Sequence, residues 1–147
     1  MSDTVRDKLA VIIILLAVIG VGLSTESLIA HYKKTSTDFC DINDTFNCDV
    51  VNRSTYSKLF GFVPVAGIGL VGYIVLAALA KVNRANRGAS TLLVLLSLGA
   101  LGFSLWLTYI EARVLYTYCI VCLSSLAVIS LMTILAIVRH VKKPALT

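Results

Sequence analysis

The residues with the clearest chemistry in this chain are Cys119 and Cys122, at the head of its last long apolar segment. Two thiols at this spacing at the start of a helix lie on adjacent turns, close enough to form a disulfide. The partial positive charge of a helix N-terminus stabilises a thiolate there, lowers its pKa and makes the sulfur a better attacking or leaving group. The motif therefore indicates redox chemistry, although a permanent disulfide or half of a metal site would use the same pair.

The overall composition indicates the environment in which these thiols work. Apolar residues make up 58% of the 147 residues and charged residues 14%, and the mean hydropathy is +0.89. An ordinary soluble domain has roughly 45–50% apolar and about 25% charged residues. The chain is therefore predicted to be a membrane protein. Its net charge of +5 is explained by charges that flank membrane segments, without a nucleic-acid partner.

Four apolar windows are long enough to cross a hydrocarbon core about 30 Å thick, which takes about 20 helical residues. They are residues 9–30, 63–80, 90–110 and 119–138. The predicted fold is an all-α membrane protein, a bundle of four transmembrane helices that forms a single domain over residues 1–147. The long connection, about residues 32–62, holds Cys40 and Cys48. The first window is too long for a signal peptide and lacks a cleavage site, so it is expected to remain in the protein.

The distribution of basic residues predicts the orientation. One side would carry eight of them: Arg6, Lys8, Lys81, Arg84, Arg87, Arg139, Lys142 and Lys143. The other side would carry five: Lys33, Lys34, Arg53, Lys58 and Arg113. That second side also holds five of the eight acids: Asp38, Asp41, Asp44, Asp49 and Glu111. Because basic residues concentrate in cytoplasmic loops, both termini are expected in the cytoplasm and the loop outside it, across the inner membrane if the cell is bacterial.

This orientation brings all four cysteines to the extracytoplasmic face. Cys40 and Cys48 lie in the long loop, and Cys119 begins the fourth helix at the same level. Disulfides form and persist in that compartment. An even number of cysteines on one face favours two communicating pairs.

The loop changes character after Cys48. Asp49 can cap a helix, apolar residues recur on one face up to Phe60, and Gly61 can end the helix. Residues 50–60 are therefore predicted to form a short amphipathic helix at the membrane surface. That helix would be either a lid over the bundle or an ordinary interfacial connector.

The second apolar window contains a misleading motif. Gly67, Gly69 and Gly72 match the G-x-G-x-x-G pattern of dinucleotide-binding proteins, but that pattern requires a preceding strand in a βαβ unit. In a membrane helix, Ala66, Gly69 and Gly72 instead allow a neighbouring helix to approach closely. Pro64 is expected in the first turn, where its missing N–H does no harm.

These features together resemble the vitamin K epoxide reductase family, most closely its bacterial quinone-linked members. The resemblance rests on Cys40, Cys48, Ser54, the run Tyr56–Pro64 and the Cys119-Ile-Val-Cys122 motif. It spans about residues 38–135, with the cysteines, the serine and the four helices in the same order. It implies a four-helix bundle in which the C-x-x-C pair faces a quinone and the loop pair exchanges electrons with a thioredoxin-fold protein.

The resemblance implies a role for each cysteine. Cys122 would be the sulfur nearest the quinone, and Cys119 would be its resolving partner. Cys48 would exchange with Cys119, and Cys40 would meet the outside partner. Because the chain ends at Thr147 without a fused thioredoxin-like domain, the partner is expected to be a separate, DsbA-like polypeptide.

The resemblance also implies a quinone site. Ser54 would hydrogen-bond the ligand or hold the loop helix, and Tyr56 and Phe60 are further candidates for contact with the ring. The acceptor would be a ubiquinone, menaquinone or vitamin K type quinone, and no metal is implied. Vertebrate members carry a tyrosine where this chain has Leu126, which favours quinone reduction over epoxide reduction.

The predicted function is that of a membrane thiol oxidase and quinone reductase that supports disulfide bond formation. Electrons would pass from the partner through Cys40/Cys48 to Cys119/Cys122 and then to the quinone. The alternatives are vitamin K epoxide reduction proper and a structural membrane protein with inert disulfides. A four-cysteine zinc site fits poorly, because seven residues separate Cys40 from Cys48.

Overall fold

The computed structural model describes residues 2–33, 40–82 and 87–142. Its elements are α1 (Asp3–Tyr32), α2 (Cys48–Arg53), β1 (Lys58–Leu59), β2 (Val63–Pro64), α3 (Val65–Val82), α4 (Arg87–Ile110) and α5 (Ile120–Val141). Within these ranges, α1, α3, α4 and α5 are long and apolar enough to cross a membrane, α4 together with the turn that follows it. The predicted four-helix membrane fold is therefore confirmed. Four charged residues used to predict the orientation lie outside the described residues: Lys34, Asp38, Arg84 and Lys143.

The helix boundaries differ from the predicted apolar windows in two ways. Polar residues extend some helices, and strand pairing delays the start of α3. The first helix begins at Asp3 and includes the polar residues before the apolar window. An ion pair between Arg6 and Asp3 lies in its first turn. The third membrane helix continues beyond Ile110 as a π-helical turn, Glu111–Leu115. Pro64 was expected inside a helix but lies in β2, paired with Lys58, so that α3 starts at Val65.

The four long helices share one apolar core. Helix α1 packs against α3 and α5, and α4 packs against α5 and α3. The core is formed by side chains from every helix, among them Ile13, Ala17, Leu76, Leu93, Ile129 and Met132. The outward faces expose large apolar side chains such as Leu15 and Val18, which suits contact with lipid. The bundle therefore buries a narrow apolar seam and leaves the rest of each helix to the bilayer.

Small residues allow the close approach of α1 and α3. A Cβ built on Gly69 would lie 3.1 Å from the Ser24 hydroxyl, as expected for a small residue at a helix contact. The same expectation is wrong for Gly72, where a Cβ would meet nothing within 4 Å. Gly20 of α1 is a close contact that the sequence did not indicate, because a Cβ there would overlap the ring of Tyr73.

The long loop holds a shorter helix than the predicted 50–60. Asn47, rather than Asp49, caps α2, and its side chain accepts a hydrogen bond from the Val50 N–H at 3.0 Å. The helix ends at Arg53 because Ser54 adopts an extended conformation and its hydroxyl donates to the Val51 carbonyl at 2.8 Å. A side chain that takes up a helical carbonyl in this way competes with continuation of the helix.

A small hairpin replaces the second half of the predicted helix. A 3₁₀ turn, Thr55–Ser57, leads into β1, which pairs antiparallel with β2. Gly61 (φ +82°) and Phe60 (φ +55°) both take left-handed conformations in the connecting turn. Gly61 thus supplies the hairpin turn rather than a helix stop, since glycine adopts positive φ without steric cost.

Candidate functional site

The loop that carries Cys48 is attached on one side to the segment that leads into α5. The Asn47 N–H donates to the Tyr118 carbonyl at 3.1 Å, and the Tyr118 N–H donates to the Thr45 carbonyl at 2.8 Å. The rings of Phe46 and Tyr118 also contact each other, with centroids 6.2 Å apart. These contacts hold the residues just before Cys48 against the residue just before Cys119, although the two segments are far apart in the sequence.

A second attachment ties α2 to the end of α1. The His31 ring donates from Nδ1 to the Asn52 carbonyl at 2.6 Å, since a carbonyl can only accept. The Arg53 guanidinium donates to the Lys33 carbonyl at 2.9 Å and pairs with Asp49 at 3.0 Å. Helix α2 is therefore fixed at both ends over the mouth of the bundle.

Three sulfur atoms lie together beneath this loop. Cys40 and Cys48 form a disulfide, with their Cα atoms 5.5 Å apart, while Cys119 and Cys122 are free thiols. The Cys119 Sγ lies 3.2 Å from the Cys48 Sγ. Cys119 has no solvent exposure, and Val51 is buried in the same cluster. The loop disulfide and the inner thiol pair are thus in contact, and thiol–disulfide exchange requires such access of one sulfur to the other.

The surroundings of Cys119 favour its thiolate. The residue caps α5, and its sulfur accepts a hydrogen bond from the Cys122 N–H at 3.3 Å. The pKa of Cys119 is lowered, mainly by the hydrogen bond from the Cys122 thiol and further by the backbone N–H groups of Cys122 and Val121. Burial and the nearby Glu111 carboxylate oppose this effect without reversing it. Cys119 is therefore the more acidic thiol expected at the head of such a helix.

Glu111 is a site residue that the sequence did not reveal. The residue is 3% exposed, its carboxylate accepts the Cys119 N–H at 3.2 Å, and it interacts electrostatically with the Cys122 thiol. The π-helical turn brings it there, because Tyr116 ends the turn in a left-handed conformation and the Thr117 N–H bonds back to the Glu111 carbonyl. The sequence counted this acid only as an extracytoplasmic charge; an acid eight residues before a C-x-x-C motif was the available signal.

A cavity of about 370 Å³ lies between the four long helices and beneath α2. Pockets of 300–1,000 Å³ are typical of small-molecule sites. Most of its walls are apolar and come from α1, α3, α4 and α5. Cys122 and Glu111 both line it, so one thiol of the inner pair borders the space that a ligand would occupy. The polar or ionisable side chains of the walls also include Ser24, Ser27, His31, Asn52, Ser54, Tyr56, Ser57, Tyr73, Ser104, Thr108 and Ser125.

The structure brings together most, though not all, of the residues singled out from the sequence. Ser54 and Tyr56 line the cavity, on the side closed by the loop. Phe60 does not: it lies in the hairpin turn with 83% of its surface exposed, so a direct contact between Phe60 and a ligand in this cavity is not supported. The hydroxyl of Ser54 already donates to the Val51 carbonyl, which suits the role of holding the loop.

The cysteines also bear on the zinc alternative. The sulfur atoms of Cys40, Cys48 and Cys119 lie within 4.8 Å of one another. Two of them share a disulfide, whereas zinc takes cysteine as the thiolate. In this redox state the donor set therefore does not fit a zinc centre.

Comparison with known proteins gives two matches. The model of the vitamin K epoxide reductase family matches residues 11–137, a range that includes all four cysteines and Glu111. Vitamin K epoxide reductase complex subunit 1 of Rattus norvegicus is 32% identical over 121 residues, which cover 71% of this chain and 74% of the relative. Both matches cover most of the chain.

Proposed function

The chain belongs to the vitamin K epoxide reductase family of membrane thiol oxidoreductases, and from that premise we propose that it is a quinone-dependent thiol oxidase. Members of this family generally act with quinones. The electrons would come from a separate, DsbA-like thioredoxin-fold protein, and the product would be a disulfide in that partner. The protein would thereby support disulfide bond formation outside the cytoplasm.

The observation that carries this proposal is the line of sulfur atoms from the loop to the cavity. Cys48 belongs to the loop disulfide and lies 3.2 Å from the Cys119 Sγ. Cys119 and Cys122 are adjacent through the first turn of α5, and Cys122 lines the cavity. Each sulfur can therefore exchange with the next one, and the last sulfur borders a space large enough for a quinone ring.

The electron relay would run in two exchanges. The partner's thiolate attacks the Cys40–Cys48 disulfide, and the partner leaves oxidised with both loop cysteines reduced. Cys48 then attacks Cys119 in the inner disulfide and releases the Cys122 thiolate, after which Cys40 re-forms the loop disulfide. This leaves the loop oxidised and the inner pair reduced, which is the redox state found in the structure.

The quinone step would follow in the cavity. The reduced inner pair gives two electrons and two protons to the quinone, so the products are one quinol and the Cys119–Cys122 disulfide. Cys122 would make the contact with the ring, and Tyr56 would border it from the loop side, since both line the cavity. Phe60 has no part in this step.

The relay also requires a particular orientation in the membrane. The positive-inside bias puts both termini in the cytoplasm and the loop outside, where an oxidising partner works. Labelling with an impermeant thiol reagent should reach a single cysteine at position 44 and not one at position 86, each introduced into a cysteine-free chain. Equal labelling from outside would mean that the orientation is wrong.

Reduction of a quinone epoxide is a second candidate function. The relative from Rattus norvegicus is named for vitamin K epoxide reductase, and a phenol does reach the cavity of this chain. It belongs to Tyr73 of α3, whose hydroxyl bonds the Ser125 hydroxyl at 2.7 Å, although Leu126 replaces the tyrosine of the vertebrate motif. Consumption of phylloquinone epoxide by the dithiol-reduced protein would favour this candidate.

The direct test is an anaerobic incubation of the fully reduced protein with a short-chain ubiquinone or menaquinone. We expect thiols to disappear and quinol to form in equal amounts, one quinol for each pair of thiols. Cys119→Ala and Cys122→Ala should each abolish quinol formation, and a chelator should have no effect. Retention of all thiols in the wild-type protein would refute the proposal and favour a structural protein with inert disulfides.

A further inference from the structure

The relay as described leaves one buried group of the site without a role, the carboxyl of Glu111. We propose that Glu111 is a catalytic residue of the quinone step, which takes the proton of the Cys122 thiol and passes it to a quinone oxygen. The inference rests on the proposed function, because it needs a quinone in the cavity. It adds a proton path to the electron path that the cysteines supply.

The contacts of Glu111 are those of a proton carrier rather than of a fixed ion pair. The residue is 3% exposed, and acids so buried are almost always paired with a basic group. Over residues 2–33, 40–82 and 87–142, no basic side chain forms a salt bridge with it. Its polar neighbours are the Cys119 N–H, at 3.2 Å, and the Cys122 thiol, and it also lines the cavity. The carboxyl thus lies between the first turn of α5, which holds the thiol that loses a proton, and the space in which a proton is needed.

The charges of the site favour transfer of the Cys122 proton to Glu111 over its loss to any other acceptor. A thiolate at Cys122 beside an ionised Glu111 would place two negative charges together in a region of low dielectric, where their repulsion is only weakly screened. Transfer of the Cys122 proton to Glu111 leaves a single negative charge on the pair. The proton is then held at the cavity wall while the sulfur gains the charge that electron transfer to the quinone requires.

The step balances without another reactant. The S–H bonds of Cys119 and Cys122 break, one S–S bond forms between them, and two electrons pass to the quinone. Two O–H bonds form on the quinone: the proton from Cys122 arrives through Glu111, and the proton from Cys119 is the second. Glu111 begins and ends the cycle as a carboxylate.

Other titratable groups border the same cavity but are placed differently. His31 donates from Nδ1 to the Asn52 carbonyl, and the Tyr73 hydroxyl is bonded to Ser125. Tyr56 lies on the loop side, 44% exposed. Among the ionisable groups that line the cavity in the described part of the chain, Glu111 is the one that interacts with the Cys122 thiol, and its carboxylate is fixed to the first turn of α5 by the Cys119 N–H.

A structural role is the competing explanation, because Glu111 also fastens the start of α5 through the Cys119 N–H. Glu111→Gln separates the two roles. Glutamine keeps the size and the oxygen that accepts this N–H, but it cannot carry a proton. Glu26→Gln is the matched control, since Glu26 is exposed on α1 and does not line the cavity.

The experiment is a single turnover of the full-length protein in lipid nanodiscs, reduced under argon and mixed with a short-chain ubiquinone. We expect Glu111→Gln to slow quinol formation by about 100-fold or more, as general acid–base catalysis typically contributes 10²–10⁴-fold. Quinone affinity and the Cys48–Cys119 exchange should be unchanged, and Glu26→Gln should match the wild type. In the Gln variant the rate should rise with pH, because the Cys122 proton must then leave to water.

A second variant guards against misfolding. Glu111→Ala should be equally slow but should regain a large part of the rate when formate, a small carboxylate, is added. A wild-type rate in Glu111→Gln would overturn the proton role and leave the quinone function standing. A slow variant whose pH profile is unchanged and that formate does not rescue would overturn it as well, in favour of a structural role. Failure of the wild type to reduce the quinone would overturn both proposals.

Discussion

The two ends of the helix bundle handle buried polar groups in opposite ways. At the basic end, where α3 stops and α4 starts, the Arg139 guanidinium donates to the Ala80 carbonyl at 3.1 Å and the His140 ring bonds the Ser90 hydroxyl at 3.0 Å. At the cysteine end the same helices surround a cavity of about 370 Å³, and Glu111 and Cys122 lie on its wall.

This difference shows that the contacts of a buried polar group indicate whether its role is structural or chemical. At the basic end, the hydrogen bonds of Arg139 and His140 to a backbone carbonyl and a hydroxyl stabilise packing. The groups at the cysteine end contact two thiols and an open space. The comparison predicts that substitutions at the cysteine end change chemistry more than stability, and that substitutions at the basic end do the reverse.

The largest effect is expected for Cys40→Ala at the cysteine end. Turnover with a thioredoxin-fold protein should be lost, because the loop disulfide is the entry point for its electrons. Activity with a small dithiol able to reach the inner pair should remain, since Cys119 and Cys122 are intact. The measurement is quinol formation with each donor in turn.

The comparison of the two electron donors tests whether the loop cysteines act before the inner pair. Loss of the small-dithiol activity in Cys40→Ala as well would mean that the loop cysteines do not act upstream of the inner pair. Cys40→Ser is the matched control for side-chain size and should behave like the alanine variant.

An intermediate effect is expected for Arg139→Ala at the basic end. The substitution leaves the Ala80 carbonyl without this hydrogen bond, and a buried group that loses its partner costs about 1–3 kcal/mol. Thermal unfolding in detergent should shift to lower temperature, while the single-turnover rate of quinone reduction stays near the wild-type value. Arg139→Lys retains a donor and should recover part of the stability. A loss of quinone reduction without a loss of stability would break the comparison.

The smallest effect is expected for Ser54→Ala. Its hydroxyl donates to the Val51 carbonyl, so the substitution removes one hydrogen bond at the end of α2, worth about 1 kcal/mol. We expect a slightly faster exposure of the loop to proteolysis and an unchanged quinone affinity. Ser54→Thr keeps the hydroxyl and serves as the control. A clear loss of quinone affinity in the alanine variant would show that Ser54 contacts the ligand directly.

Much of the fold was predictable because membrane helices are specified by length and composition within each segment. The four long helices follow from runs of apolar residues, and the prediction that Cys119 and Cys122 are redox-active follows from their spacing. The loop helix was predicted too long because several neighbouring residues could cap or end it, and the sequence does not distinguish between them. Asn47 caps the helix, two residues before the predicted cap Asp49. Ser54 ends the helix, because its hydroxyl donates to the Val51 carbonyl.

The position of Glu111 beside the cysteines was not predictable for a different reason. Its position depends on a π-helical turn and on a left-handed Tyr116, a conformation uncommon for residues other than glycine. No repeat in the sequence indicates either feature. The contact between Cys48 and Cys119 joins residues 71 positions apart, so only the folded chain brings them together.

The complete burial of Cys119 has a consequence for leakage of electrons. This sulfur is 0% exposed and packs against the loop disulfide, so a bulky charged thiol such as glutathione does not reach it directly while the loop is in place. The buried Cys119 sulfur lies between the loop disulfide on one side and Cys122, at the cavity, on the other. In the proposed relay, glutathione and similar bulky thiols would thereby be kept from reducing the inner pair directly, whereas the dithiol used to test Cys40→Ala has to be small enough to enter.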